Sequence, residues 1–139
     1  MNVRVTVEAI VKPTEDESKV QRALFNIFPE SKVQRINKQN FDVLRIQGTG
    51  INFLAAFRNL IRQERIRSVA RRIFMEKARG ERIQIFLHKQ AAYVGRVSFC
   101  APEGESPLGP ISIDIVSDSM LNVVDYLTGE HGFQRFRET

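Results

Sequence analysis

The sequence has little of what several classes of protein require. It contains one cysteine, Cys100, and no tryptophan, so an internal disulfide and a metal site built from several thiolates are excluded. The two histidines, His88 and His131, are far apart and form no metal-binding motif. No run of about 18 uncharged apolar residues is present, as a membrane-spanning helix would need. We expect no cofactor and no membrane partner, and a cytoplasmic location, because the N-terminus lacks the features of a signal peptide.

A chain of 139 residues, with 42% apolar and 27% charged residues, has the composition of an ordinary globular protein. Its length is sufficient for one domain with a sizeable core. We therefore predict a single domain over residues 1–139, with an exposed tail from about 130 to 139.

The net charge of +5 is concentrated in one segment. Residues 51–79 contain eight basic and two acidic side chains, so this segment alone carries +6. The rest of the chain is therefore close to neutral. A localised positive charge indicates a polyanionic partner more strongly than a dispersed one does.

Alternating apolar residues and helical spacings together predict an α+β fold. The first half of the chain contains a strand, a helix ended by Pro29, and two short strands. Thr14 and Glu17 form a capping box before that helix. The glycines of GTG at 48–50 then precede a long helical stretch. The predicted ranges are 3–11, about 15–28, 32–36 and 41–47.

The apolar positions of the long helical stretch change phase. Leu54, Phe57 and Ile61 share one face, whereas the apolar residues from Ile66 onwards share another. One straight helix cannot bury both faces against the same surface, so we predict a break near residues 63–65. The order is β-α-β-β-α-α-β-β-β-α, a mainly antiparallel sheet with helices packed on it. The later ranges are 51–62 and 66–79 for helices, 81–87, 94–100 and 111–117 for strands, and about 119–128 for the last helix.

The basic segment is the candidate RNA-binding site. Arginine suits phosphate because its planar guanidinium donates two parallel hydrogen bonds, and its charge releases counterions from nucleic acid. The alternative is a solvated helix face on which arginines cover apolar neighbours. No aromatic residues are interleaved with the basic ones, so we expect contacts to phosphates and not to base edges. The predicted residues are Arg58, Arg62, Arg65, Arg67, Arg71, Arg72 and Arg79, together with Lys89 and Gln90.

Two other interpretations have less support. The GTG turn lacks the third glycine of a dinucleotide-binding fingerprint, because Phe53 occupies that position. His88, Cys100 and Asp114 lie near strand ends, which suggests a thiol nucleophile, but their spacing defines no base with an orienting group. We therefore predict a protein that is not an enzyme and has no catalytic residues.

The stretch HKQAAYVG at 88–95 places two alanines between two alternating runs. Small residues allow a turn to lie close against a neighbouring element, and Lys89 and Gln90 would then point outward. Lys89 offers a point charge, whereas Gln90 offers an amide donor and acceptor. The structural alternative is that Gln90 satisfies buried backbone groups and Lys89 is merely solvated. Tyr93 is the one aromatic residue for which stacking on a base stays open.

Three segments carry a family resemblance: HKQAAYVGRVSF, SPLGPISIDI, and SVARRIF on the basic helix. Together they resemble the uncharacterised archaeal protein family 0201, whose members are predicted to bind RNA or to be exosome-subunit-like. The resemblance covers nearly the whole chain. It implies a fold similar to that of the ribosomal protein that binds 5S ribosomal RNA, with paired subunits.

The last predicted helix argues against one mode of RNA binding. Double-stranded RNA-binding domains grip phosphates with lysines at the start of their last helix. Here the corresponding stretch carries Asp118, Asp125 and Glu130 and no basic residue. RNA bound to this chain should therefore use other surfaces.

Two functional hypotheses follow. The first is a non-catalytic RNA-binding protein that contacts structured or ribosomal RNA through its phosphates and forms a homodimer. The second is a protein–protein assembly or dimerisation module without a nucleic-acid partner. In that case the arginines would pair with acidic surfaces of a partner or of a second subunit.

Overall fold

The computed structural model describes residues 2–29, 31–102 and 109–129, and the predicted tail of residues 130–139 lies outside these ranges. Five strands and five α-helices account for most of the described chain. The strands are β1 (Val3–Val11), β2 (Val33–Asn37), β3 (Asp42–Thr49), β4 (Arg82–Leu87) and β5 (Ile111–Ser117). The helices are α1 (Glu17–Ile27), α2 (Ala55–Gln63), α3 (Arg67–Lys77), α4 (Lys89–Tyr93) and α5 (Met120–Thr128), with a 3-10 turn at Ile51–Leu54 before α2.

The strands form one antiparallel sheet in the order β2-β3-β1-β5-β4. In the central strand, β1, every second side chain from Val3 to Val11 is buried, and the helices cover that face. The other face carries polar side chains, including ion pairs of Arg45 with Glu8 at 2.6 Å and of Arg82 with Asp114 at 2.7 Å. This arrangement confirms the predicted α+β fold class, since alternation along a strand separates a core face from a solvated face.

The first helix begins slightly later than predicted. The Asp16 carboxylate, and not the Thr14 hydroxyl, caps α1 by accepting a hydrogen bond from the Ser18 N–H at 3.0 Å. Aspartate is a favoured N-cap because its carboxylate satisfies a backbone N–H that has no partner within the helix. The helix is therefore capped by a side-chain oxygen, as predicted, but the cap lies two residues further along the chain.

The predicted break in the long helical stretch is confirmed. α2 ends at Gln63 and α3 begins at Arg67, so that Phe57 and Ile61 on α2 and Ala70 and Phe74 on α3 all reach the core. The ring centroids of Phe57 and Phe74 are 6.3 Å apart in an edge-on arrangement. The phase change along the sequence therefore corresponds to two separate helices on one core.

The predicted strand over residues 94–100 is reduced to a single β-bridge between Leu87 and Phe99. Residues 89–93 form α4, and Gly95 then turns the chain with a φ of 79°. The Val97 N–H is bound by the Glu64 carboxylate and not by a neighbouring strand. Pairing with β4 therefore begins only at Ser98, whose carbonyl accepts a hydrogen bond from the His88 N–H.

Among the described residues, no helix combines the length and the apolar character needed to cross a lipid bilayer. Within the same ranges, no three His, Cys, Asp or Glu side chains converge in a way that could hold a metal ion.

Gly48 in β3 provides space for the ring of Phe53. The Phe53 ring stacks on Phe28 with centroids 5.2 Å apart and an angle of 17° between the planes. A Cβ atom at position 48 would lie 2.2 Å from Cδ1 of Phe53. The half-buried Phe53 ring thus lies between the backbone of β3 and the buried ring of Phe28.

We expect Gly48→Ala to lower the free energy of unfolding by about 1–3 kcal/mol, because overpacking displaces the stacked rings. Urea unfolding followed by circular dichroism measures this change. The matched control is Gln47→Ala, since Gln47 is the exposed neighbour on the same strand. Equal unfolding midpoints for the two variants would contradict the expectation.

Candidate nucleic-acid interface

The seven predicted arginines lie on α2, on α3 and around the turns that follow these helices, and they differ in exposure. Four have exposed side chains: Arg62, Arg65, Arg72 and Arg79. Three are half-buried: Arg58, Arg67 and Arg71. The sequence alone placed all seven in one class, whereas the structure divides them into an exposed set and a half-buried set.

Arg58 and Arg71 are both bound to α5. The Arg58 Nε donates to the Tyr126 carbonyl at 2.9 Å, and its guanidinium lies over the Tyr126 ring at 5.0 Å. Arg71 forms an ion pair with the Asp125 carboxylate at 2.5 Å. The last carbonyls of a helix have no partners within it and carry partial negative charge, so cations are stabilising there. These two arginines therefore fasten α2 and α3 to the end of α5.

Arg65 has the left-handed backbone conformation that glycine usually adopts at the end of a helix. Its φ is 59°, and it is the only non-glycine residue with positive φ in the described chain. The Ile66 N–H donates to the Ile61 carbonyl at 3.2 Å, and the Arg65 N–H to the Arg62 carbonyl at 3.1 Å, which closes the end of α2. A residue with a Cβ is strained in this conformation. The arginine is therefore held there at a cost, with its side chain exposed.

The turn between α2 and α3, which contains Arg65, is held in place by a contact with a distant part of the chain. The Glu64 carboxylate accepts a hydrogen bond of 2.6 Å from the Val97 N–H, in the segment that follows α4. This contact joins the α2–α3 turn to a part of the chain 33 residues away. The position of Arg65 is consequently determined by tertiary structure as well as by the ends of its two helices.

Arg72 lies on α3, whereas Arg79 lies beyond the end of that helix, after the extended residue Ala78. Arg72 points into solvent from α3. Arg79 follows the helix and donates to the Glu76 and Ala78 carbonyls at 2.9 and 2.8 Å. Its guanidinium caps the C-terminus of α3 while its side chain remains exposed. The break between α2 and α3 places Arg62 and Arg72 on separate helices, with Arg65 in the turn between them.

The expectation that Lys89 points outward is wrong. Lys89 is only 4% exposed, and its ammonium donates to the Ile10 carbonyl and to the Glu15 carboxylate, with Nζ 3.1 Å from Oε1. Burial lowers the pKa of the Lys89 ammonium, and the hydrogen bond to Glu15 opposes that shift. The alanines that follow place this turn of helix against α1, and the first residue of α4 is thereby drawn inward.

Gln90 is exposed, as predicted, and its side chain lines a groove between α1 and α4. Asn26 of α1 fastens the other end of α4, since its Nδ2 donates to the Ala92 and Tyr93 carbonyls at 2.9 and 3.0 Å. Sequence reasoning did not single out Asn26 or Glu15, the partners of α4. The polar position of Asn26 beside the buried Ile27 was the available signal, but it does not identify a partner 66 residues away.

Comparison with known proteins shows the family to which the chain belongs. The chain matches a family model described as RNA binding over residues 4–117. The chain belongs to this RNA-binding family. A UPF0201 protein of Metallosphaera sedula is 36% identical over 124 residues, covering 89% of this chain and 86% of that protein. A UPF0201 protein of Sulfolobus acidocaldarius is 39% identical over 125 residues, covering 90% and 86%.

Solved structures of the same family have the same fold. The crystal structure of a UPF0201 protein from Methanococcus jannaschii superimposes with a TM-score of 0.80 at 30% sequence identity, covering 90% of this chain and 92% of that one. A second UPF0201 crystal structure gives a TM-score of 0.75 at 29% identity. The resemblance to family 0201 is therefore confirmed. The expected similarity to the ribosomal protein that binds 5S ribosomal RNA stays a prediction.

We expect Lys89→Met to lower the free energy of unfolding by about 3–5 kcal/mol, because it leaves the Glu15 carboxylate buried without its cation. The double variant Lys89→Met, Glu15→Leu should recover much of the loss, since no buried charge then remains. Urea unfolding of both variants measures the difference. A double variant no more stable than Lys89→Met would show that the pair is not coupled in this way.

Proposed function

We propose that this protein binds RNA through phosphate contacts made by the exposed arginines of the α2–α3 segment. We call this set the arginine surface, and it consists of Arg62, Arg65, Arg72 and Arg79. The observation that carries the proposal is Arg65, an exposed arginine at a strained position where glycine would be more stable. Strained residues concentrate at functional sites, where the side chain is worth its conformational cost. Membership of a family described as RNA binding supports the same function.

The arginine surface suits phosphates better than bases. The aromatic rings of α2 and α3, Phe57 and Phe74, are fully buried and offer no stacking platform beside the arginines. Guanidinium groups bind phosphate oxygens bidentately and release condensed counterions, which gives affinity with little sequence preference. The surface is therefore suited to the backbone of a structured RNA.

Three of the other predicted residues, Arg58, Arg71 and Lys89, have supporting roles in this proposal. Arg58 and Arg71 hold α2 and α3 against α5. In this proposal they position the arginine surface and do not themselves contact a phosphate. Lys89 holds α4 in place from the interior. Gln90 is exposed on α4 and faces the groove beside α1, away from these contacts.

Replacement of Arg62 or Arg72 by alanine should weaken binding to all RNA sequences to a similar degree. The slope of log K against log salt concentration should fall by about 0.7–0.9 for each phosphate that is no longer neutralised. Stability should change by no more than about 0.5 kcal/mol, because both side chains are exposed. Fluorescence anisotropy with a labelled RNA hairpin at several salt concentrations measures affinity and slope.

Lys38→Ala is the matched control, because Lys38 is an exposed cation on the β2–β3 hairpin, outside the arginine surface. Size-exclusion chromatography of each variant tests the assembly hypothesis in the same samples. Unchanged affinity and slope for both arginine variants, together with loss of self-association, would favour the assembly function and contradict RNA binding at this surface.

Arg65→Gly should separate stability from binding. Glycine adopts positive φ without strain, so we expect the free energy of unfolding to rise by up to about 1 kcal/mol. Affinity for RNA should fall at the same time, because the guanidinium is removed. Thermal unfolding and the same anisotropy titration measure the two effects. Arg65→Lys keeps both the charge and the strain and serves as control, and a glycine variant that binds RNA like the parent would remove Arg65 from the site.

A further inference from the structure

The HKQAAYVG segment builds a groove that the arginine surface does not use. The groove lies between α1 and α4 and has a volume of about 530 Å³, which is within the usual size range of small-ligand sites. Its apolar lining comes from Val20, Ala23 and Val94, and Tyr93 and Gln90 line it from α4. One groove thus combines an aromatic ring, an exposed amide and an apolar surface.

The groove is preformed because α4 is held at both ends. At its start, the buried Lys89 ammonium is bound to the Glu15 carboxylate and to the Ile10 carbonyl. At its end, the Tyr93 carbonyl accepts a hydrogen bond from Asn26 of α1. A ligand that enters the groove therefore meets side chains that are already positioned, which reduces the entropy cost of binding.

Tyr93 is positioned by a cation from α1. The Arg22 guanidinium lies over the Tyr93 ring with Cζ 5.6 Å from the ring centroid. Arg22 is exposed and stands one helical turn from Lys19, an exposed lysine that lines the groove. One cation therefore contacts the aromatic ring, and a second lies one turn away on the same side of α1.

The charges inside the groove balance. Lys89 is paired with Glu15, and the remaining charged groups that line the groove are the Asp16 carboxylate and the Lys19 ammonium. Hydrogen bonds from the Ser18 hydroxyl and N–H lower the pKa of the Asp16 carboxyl, so it is ionised at neutral pH. This neutral lining suits an uncharged planar group, and Arg22 beside the Tyr93 ring adds one positive charge, which suits an anionic group next to Lys19.

We propose that the groove between α1 and α4 binds a single unpaired nucleotide of RNA, with its base beside Tyr93 and its phosphate at Lys19 and Arg22. The Gln90 amide can donate to and accept from the edge of that base. The inference rests on the proposed RNA-binding function and adds base contacts to a protein whose arginine surface supplies phosphate contacts. Only an unpaired base can turn out of an RNA helix and reach Tyr93, so we expect the site to favour unpaired over paired nucleotides. Aromatic stacking tolerates different bases, so little preference among the bases is expected from Tyr93.

Amide chemical shifts of the ¹⁵N-labelled protein test the groove directly with three probes: adenosine monophosphate, adenosine and ribose 5-phosphate. We expect adenosine monophosphate to shift the amides of Lys19, Gln90, Tyr93 and Val94. Adenosine should shift the same amides at higher concentration, whereas ribose 5-phosphate should not, because it lacks the base. Equal shifts from ribose 5-phosphate, or shifts confined to other parts of the chain, would overturn the proposal.

A pair of RNA hairpins, one fully paired and one with a single bulged nucleotide, separates this inference from the proposed function. The bulged hairpin should bind roughly tenfold more tightly, as expected for one stacked base. Tyr93→Leu and Gln90→Ala should reduce that difference while keeping the salt slope. Arg72→Ala should weaken both hairpins and lower the slope. Gln84→Ala is the matched control, because Gln84 is an exposed amide on β4, on the polar face of the sheet.

The two failures are distinguishable. If both hairpins bind equally tightly and Arg72→Ala weakens both, the groove is not a nucleotide site and RNA binding by the arginine surface stands. If neither hairpin binds at low salt, the proposed function fails and the inference fails with it. Circular dichroism of Tyr93→Leu shows whether the variant is folded, and Gln90→Ala repeats the test at an exposed position.

Discussion

The sheet buries only one of its two faces, and this constrains where the helices can pack. All five helices must share the apolar side of five strands, while the other side is solvated and carries ion pairs. The apolar stripes of residues 54–61 and 66–74 are out of phase, so both reach this common face only if the helical stretch is interrupted. The interruption places a left-handed residue at position 65, and the exposed arginine there follows from that geometry.

Periodicity accounts for the parts of the fold that the sequence predicts well. Alternation in residues 3–11 and 111–117 identifies two adjacent strands, and the phase change identifies the break between α2 and α3. Residues 94–100 alternate equally well, yet they form a bridge at one position only. Alternation records which side chains face inward, and it does not reveal whether another strand is available to pair. Here the Glu64 carboxylate and the turn at Gly95 occupy the backbone instead.

The candidate site, too, is predicted only in part by the sequence. Charge density along the sequence identifies a basic segment, but it cannot separate Arg62 and Arg72, which are exposed, from Arg58 and Arg71, which bind α5. The partners of the second pair lie more than 50 residues further along the chain. Lys89 shows the converse problem: a lysine in a polar-looking connection is buried, because its partner Glu15 is 74 residues away.

Both edges of the sheet are protected against strand addition by different means. The edge strand β2 is only five residues long and carries Arg35, which is bound to Asp42 of the adjacent strand and to Glu17 of α1. At β4, backbone hydrogen bonds from Arg79 and Cys100 occupy Arg82 and Phe86, which leaves the stretch around Gln84 as the open part. Short, charged or covered edges resist edge-to-edge pairing between molecules. Among the described residues, an assembly that extended the sheet from one subunit into the next would therefore have only the short stretch around Gln84 through which to add a strand.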